Sequence, residues 1–157
     1  MTARRDPYDL IEWRGVQLDR RTVAQLLWAE QRSGIQVLPS QGCNRPATSY
    51  SGSTHTGRSG VCDIRVAHLS EHDRRRLVRW LKRSGGACWY RPPSTAWGPH
   101  VHFVSIGSRY LSGSARWQVA EYLAGRSGLV SRGADRTYRA HPAVRFSLRR
   151  GEPVPLR

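Results

Sequence analysis

The spacing of apolar residues along the chain predicts three helices, the first running from Asp19 to Arg32. Asp19 belongs to the residue types that commonly cap a helix N-terminus, and Gly34 follows the last periodic residue. Three apolar residues recur at helical intervals between these ends: Val23, Leu26 and Leu27. A further helix is predicted from Ala115 to Leu123.

The remaining helix opens at Ser70, with Asp73 in the position where a capping box normally carries Glu or Gln. Its apolar stripe consists of Leu77, Trp80 and Leu81. Basic residues are predicted to cover its other sides: Arg74, Arg75, Arg76, Arg79, Lys82 and Arg83. Gly85 and Gly86 end this helix.

Short apolar or alternating runs between the helices predict strands. They lie at residues 10–13, 35–39, 61–69, 87–90 and 100–107. Helices separated by strands that are not neighbours in the chain favour an α+β fold with a small, mostly antiparallel sheet and flanking helices. Residues 1–128 hold all of these elements, and residues 129–157 are predicted to be an Arg-rich tail that is loosely docked or flexible.

The charge of the chain is strongly positive, because 26 Lys and Arg stand against 11 Asp and Glu and give a net charge of +15. A field of this sign favours polyanions, which include nucleic acid, an anionic cell wall and an acidic membrane face. A solvated basic surface with no dedicated partner is the alternative interpretation.

The three cysteines show no CxxC spacing, so neither a disulfide framework nor a cysteine zinc ribbon is predicted, and buried thiols are expected instead. The first residues contain no apolar signal-peptide region, and no run of about 18 apolar residues occurs. We therefore expect a chain made in the cytoplasm with no signal peptide and no transmembrane segment.

Three histidines and an aspartate suggest a metal site. His100 and His102 lie two apart on a predicted strand, so both point to the same face. Asp63 lies between two apolar residues and faces away from them, while His55 lies in a turn-rich loop of residues 40–60 that is long enough to be functional. Two His and one Asp would satisfy a catalytic zinc site, which needs three N or O ligands and an open position. Histidines that bind no metal are the alternative interpretation.

These motifs resemble those of zinc peptidases related to D-alanyl-D-alanine carboxypeptidases, lysostaphin and the hedgehog N-terminal domain. The likeness is strongest to small actinobacterial and actinophage peptidases, which carry a GTHxGGGxxD loop and a WGPHxH strand. It extends in order from about residue 15 to residue 128. The matching pieces are RRTVAQLLWAEQRSG, QG, STHTGRSGVCDI, ACWYR, WGPHVHFVSIG and WQVAEYLAGRSGL.

The resemblance implies a hedgehog-like fold and zinc-dependent hydrolysis of peptide bonds in bacterial peptidoglycan, by a cell-wall peptidase, a phage endolysin or a virion-associated lysin. It implies His55, Asp63 and His102 as zinc ligands, with His100 beside the open position to orient water or stabilise the oxyanion. Near the substrate it implies Gln41, with Ser53 supporting the first ligand loop.

Other residues suggest how a substrate would be held. Trp97, together with Trp89 and Tyr90, is a candidate wall of a substrate groove, although Trp89 is equally well explained as a core residue. Arg58 and Arg91 are candidates to hold a substrate carboxylate.

The chain departs from the family pattern at two points. His55 and Asp63 are eight positions apart where relatives have seven, so Cys62 occupies the usual position and is an alternative, thiolate ligand. We expect the segment TGRSG to absorb the extra residue, since glycine tolerates unusual backbone angles. The family's carboxylate base is also missing, because Trp97 and Pro99 stand three residues before the two histidines.

Two other functions remain open. One is a catalytically weak or inactive structural or virion protein with the same fold. The other is a basic nucleic-acid-binding module built on HDRRRLVRWLKR. The second is less favoured, because Leu77 and Trp80 fit the buried face of a helix and no zinc-finger or helix-turn-helix spacing occurs. An anionic cell-wall surface is the expected partner of the basic charge, reached after release from the cell or as part of a phage particle.

Overall fold

Three helices accompany short antiparallel strands in a computed structural model that describes residues 6–46, 54–129 and 141–156. In chain order the elements are β1 (Leu10–Trp13), β2 (Val16–Asp19), α1 (Arg20–Ser33), β3 (Pro39–Gln41), a 3-10 turn (Thr54–Thr56), β4 (Val61–Arg65), α2 (Glu71–Arg83), β5 (Gly86–Arg91), β6 (His100–Ser105), α3 (Gly113–Leu123), β7 (Val144–Ser147) and β8 (Glu152–Pro155). The predicted α+β class with small antiparallel sheets is confirmed. None of the described helices has the length and apolar character that crossing a membrane requires.

The N-terminal hairpin leads directly into α1. Its turn consists of Arg14 and Gly15, whose φ angles of 52° and 83° are those of a tight hairpin turn. Asp19 then caps α1 by accepting a hydrogen bond from the Thr22 backbone N–H, and Gly34 ends the helix in the left-handed region at φ 68°. The predicted first helix is therefore confirmed at both ends.

The central sheet has four strands in the order β3-β4-β6-β5. Because side chains alternate along each strand, its two faces have different surroundings. One face packs against α1 and α2 through a cluster that includes Leu26, Leu77, Leu81, Cys62, Ile64, Cys88, Val101 and Phe103. The other face packs against α3 through a smaller cluster that includes Val61, Ala87, Trp89, Val104, Ala115 and Tyr122.

Residues 35–38 form no strand, although residues 35–39 were predicted as one. Ile35 and Val37 are buried, which explains the alternating pattern. Their backbone N–H groups, however, donate to the Ser33 hydroxyl and to the Glu30 carboxylate rather than to a neighbouring strand. Sheet pairing begins only at Pro39, which lies opposite Ile64.

Lys82 was predicted to cover the outside of α2, and this is wrong. Its side chain is only 1% exposed, and its ammonium lies 5.5 Å from the centre of the Tyr122 ring. Contact with α3, far along the chain, decides this burial. The predicted stripe is otherwise confirmed, since Leu77 and Leu81 are fully buried and Trp80 packs against the same core.

The chain ends in a second hairpin, β7–β8, in a segment where no strand was predicted. Phe146 of this hairpin is 3% exposed, and its carbonyl accepts a hydrogen bond from the buried guanidinium of Arg21 at the start of α1. The prediction that residues 129–157 are separate from the domain of residues 1–128 stays a prediction, and this contact bears on it.

Candidate metal centre

Two neighbouring strands and one turn bring the three predicted ligands together. Asp63 on β4 lies directly opposite His102 on β6, so both side chains emerge side by side on the α3 face. His55 approaches from the 3-10 turn and is 2% exposed. Its Nε2 lies 3.3 Å from Asp63 Oδ2, and His102 Nδ1 lies 2.7 Å from Asp63 Oδ1. One potential ligand atom from each residue falls within 4.8 Å of the others, as binding to one ion requires.

The eight-residue spacing is accommodated by two glycines between the ligands. A Cβ at Gly57 would lie 2.6 Å from the Ser112 backbone nitrogen, so only glycine allows this close approach. Gly60 has φ 82°, and its N–H donates to the buried Asp19 carboxylate. These contacts place His55 and Asp63 on the same centre despite the extra residue.

In His55 and His102, the ring nitrogen that faces away from Asp63 contacts an oxygen. We call this nitrogen the outer one and the nitrogen that faces Asp63 the inner one. His55 Nδ1 lies 2.8 Å from the Gly42 carbonyl, and His102 Nε2 lies 3.0 Å from Gln118 Oε1. Both oxygens only accept hydrogen bonds, so the two outer nitrogens must carry protons and donate them. A neutral imidazole has one N–H, so in the neutral form the inner nitrogen of each ring carries the lone pair that can bind a metal.

The inner nitrogens of both rings face the Asp63 carboxylate. Burial alone raises the pKa of the Asp63 carboxyl, but hydrogen bonds and charge attraction from His102 and His55 outweigh burial and hold the pKa well below its usual range. Without protons on the inner nitrogens, two lone pairs and a carboxylate would meet in a mostly buried space, which is unfavourable unless positive charge lies between them. A metal cation satisfies all three at once, and an outer N–H bound to a carbonyl is the usual arrangement of metal-binding histidines. The group can therefore hold a metal ion.

Cys62, the alternative ligand, lies on the opposite face of the sheet. It is fully buried among the side chains that pack against α1 and α2. Burial raises the pKa of its thiol well above the ordinary value, and the negative charge of Asp63 acts in the same direction. Cys62 is accordingly a core thiol and not part of the metal group, the name used here for His55, Asp63 and His102.

An open cleft of about 460 Å³ lies beside the metal group and is lined by Asp63 itself. Four further predicted residues line it: Gln41, Arg91, Trp97 and His100. His100 Nδ1 donates to the Gly98 carbonyl at 2.9 Å, so its Nε2 carries the lone pair when the ring is neutral. Asp63 is the single carboxylate among the described residues that line the cleft.

Other residues singled out in the sequence lie elsewhere. Trp89 is 2% exposed and stacks beside His102 with ring centres 6.3 Å apart, so it is a core residue that supports the site. Tyr90 packs on the opposite face of the sheet and does not line the cleft. Arg58 is exposed over the Tyr110 ring, at 5.8 Å, and is also outside the cleft. Ser53 lies outside the described residues.

Sequence reasoning missed two residues of the site. Gln118, the partner of His102, belongs to α3 and carries no local pattern that would connect it with a histidine 16 positions earlier. Arg65 lines the cleft beside Asp63, and strand alternation could have placed it there, since it lies two residues after Asp63 on β4.

No family model, no curated protein and no solved structure matches this chain. The assignment of His55, Asp63 and His102 as a metal-binding group therefore rests on their geometry and donor atoms.

Proposed function

We propose that the protein is a zinc-dependent peptidase that hydrolyses peptide bonds in bacterial peptidoglycan, with a hedgehog-like fold. Its place of action would be the cell wall, reached after release from the cell or as part of a phage particle. The proposal is supported by the resemblance of its SxH…D and HxH motifs to those of zinc peptidases. It is supported independently by the convergence of the same residues beside an open cleft.

The donor set favours zinc. Two imidazole nitrogens and one carboxylate oxygen are the protein ligands typical of catalytic zinc sites, which keep a further position open. His55 and His102 are almost fully buried, whereas the Asp63 side chain is 15% exposed and borders the cleft. Zinc in such a site supplies Lewis-acid polarisation of a substrate carbonyl and activation of water.

His100 is the residue suited to move the proton. It lies on the same strand face as His102 and borders the cleft. Its Nδ1 is engaged by the Gly98 carbonyl, so Nε2 is left to accept a proton from water and return it to the leaving amine. This role replaces the carboxylate base that relatives carry three residues before a histidine.

The observation that carries the proposal is the orientation of the two buried imidazoles. Both outer N–H groups are bound to oxygens, and both inner nitrogens point at Asp63. The same inner nitrogens would bind a metal ion once they give up their protons, with Asp63 as the third ligand.

The test is zinc content and peptide release by the purified full chain. We expect stoichiometric zinc by elemental analysis, loss of that zinc in His102→Ala, and release of peptides from purified peptidoglycan detected by mass spectrometry. His72→Ala is the matched control, because that histidine is 83% exposed on α2, away from the site. His100→Ala should keep its zinc and lose roughly 100-fold to 10,000-fold in rate.

Other outcomes select the alternative functions. Stoichiometric zinc without peptide release would indicate a structural relative with the same fold. Binding to DNA that weakens with salt, in a protein that takes up no zinc, would indicate a nucleic-acid-binding module. Either result would overturn the proposed activity.

A further inference from the structure

We propose that Arg65 and Arg91 form a carboxylate-binding subsite next to the metal group, so that the preferred substrates are peptides with a free carboxylate close to the scissile bond. This inference rests on the proposed function for its link to catalysis. The strand register, the exposure and the charge of the two arginines support the subsite itself.

The register of three strands places the two arginines on either side of His100. Arg65 on β4 is directly opposite His100 on β6, and Arg91 on β5 is directly opposite it from the other side. Directly opposite residues share a face of the sheet and have Cβ atoms about 5 Å apart. Both arginines line the same cleft as His100 and Asp63.

Neither guanidinium has a carboxylate partner within the described part of the chain. Arg65 is exposed and forms no ion pair there. Arg91 is half-buried and lies over the Trp97 ring, with its guanidinium carbon 4.2 Å from the ring centre. Stacking of this kind holds the guanidinium plane while leaving its N–H edge available. The negative charge that lines the same cleft is Asp63, and its carboxylate belongs to the metal group, where it contacts His55 and His102.

The distance to the metal group limits where the substrate carboxylate would lie. The row of Arg65, His100 and Arg91 is two residues along the strands from the row of Asp63 and His102. Two residues of a strand span roughly 7 Å, which is about the length of two extended peptide residues. The recognised carboxylate would therefore belong to a residue within about two positions of the scissile bond.

The first experiment measures binding of a simple probe, N-acetylalanine, to the full chain by NMR titration, in metal-free and zinc-loaded protein. The metal-free protein excludes direct coordination of the probe by zinc. We expect Arg65→Ala and Arg91→Ala each to weaken binding about tenfold, because a charge-assisted hydrogen bond is lost. N-acetylalaninamide, which lacks the carboxylate, should bind weakly to all forms.

Two variants control for the loss of charge alone. Arg58→Ala removes the same unit of charge outside the cleft and should bind the probe like the unmodified protein. Arg91→Lys keeps the charge but loses the planar fork, and should fall between the unmodified protein and Arg91→Ala. Equal weakening in all variants, or none, would overturn the subsite.

A second experiment separates this inference from the proposed function. Stem peptides with free carboxylates and the same peptides with carboxamides are compared as substrates of the zinc-loaded protein. If amidation of the peptide and both arginine substitutions leave the hydrolysis rate unchanged, the proposed subsite is wrong and the proposed peptidase activity still stands. Arginine-dependent binding of N-acetylalanine without zinc uptake or hydrolysis would overturn the peptidase and leave the anion site.

Discussion

Gln118 determines which nitrogen of His102 faces the metal group. Its side-chain oxygen accepts from His102 Nε2–H, and the residue is only 7% exposed. With that contact in place, Nδ1 is directed at Asp63, where it can serve as a metal ligand. The orientation of the two other ligands has different causes. A backbone carbonyl holds His55, and the position of Asp63 on β4 directs its side chain.

Replacing Gln118 with Leu should therefore weaken zinc binding by about 10-fold to 100-fold, because the imidazole loses its acceptor and with it the preferred tautomer. Gln118→Glu, which keeps an acceptor oxygen, should retain most of the affinity. Competition with a chromophoric zinc chelator measures the change.

Arg116→Ala is the control for this prediction, as it alters an exposed residue on the same helix. Folding of each variant is checked by circular dichroism. Zinc affinity in Gln118→Leu equal to that of the control would mean that His102 needs no orienting partner.

The strand positions of Asp63 and His102 could be expected from local rules, whereas the choice of His55 as a ligand came from the resemblance to zinc peptidases. Strand alternation separates Asp63 from Cys62 and groups His100 with His102, and the structure has both arrangements. Gln118 and the burial of Lys82 depend instead on where α3 packs against the sheet. No periodicity in the chain encodes that contact.

Among the larger elements, α3 connects both histidines of the metal group. Its N-cap residue Ser112 accepts from the Ala115 N–H, and the same hydroxyl lies 3.2 Å from the Thr54 carbonyl beside His55. Six residues further along the same helix, Gln118 contacts His102. The N-terminal end of α1 contributes as well, since Asp19 both caps that helix and accepts a hydrogen bond from the Gly60 N–H.

The C-terminal hairpin provides the test of domain extent. Phe146→Ala should lower the free energy of unfolding by about 3 kcal/mol, because a nearly fully buried aromatic side chain is removed. Leu148→Ala, at a site 42% exposed near the same turn, should change it by less than about 0.5 kcal/mol. Denaturant unfolding measures both. A change in Phe146→Ala as small as that in Leu148→Ala would show that the hairpin contributes nothing to the core, and would favour a domain boundary near residue 128.

Capped helices were predictable and irregular segments were not. α1 and α2 carry their caps, Asp19 and Ser70, in the sequence, and both helices begin directly after them. β8 contains two prolines, which ordinarily argue against a strand, but a two-stranded hairpin has only edges and tolerates them. Residues 35–38 have the alternating burial that is typical of a strand. They form no strand, because side chains accept the hydrogen bonds of their backbone N–H groups.

For the molecule as a whole, the net charge of +15 is much larger than the cleft requires. Five arginines lie on α2, which packs on the sheet face away from the metal group, while Lys82 of the same helix is buried. Two of these arginines pair with acidic residues of the same helix, Arg75 with Glu71 and Arg76 with Asp73. Part of the excess charge thus lies outside the cleft, as expected for attraction to an extended polyanion rather than to one small ligand.

Binding to the bacterial wall should consequently depend on ionic strength. Raising salt from about 0.01 M to about 0.15 M shortens the screening length from roughly 30 Å to roughly 8 Å, so long-range attraction between the protein and an anionic wall is largely lost. We expect the fraction of protein that pellets with purified walls to fall severalfold over this range. Walls stripped of their phosphate-bearing polymers should bind less at low salt and respond less to added salt. Arg65→Ala should bind walls like Arg58→Ala, because each removes one charge from the same total. A bound fraction that does not change with salt would mean that contacts other than charge hold the protein at the wall.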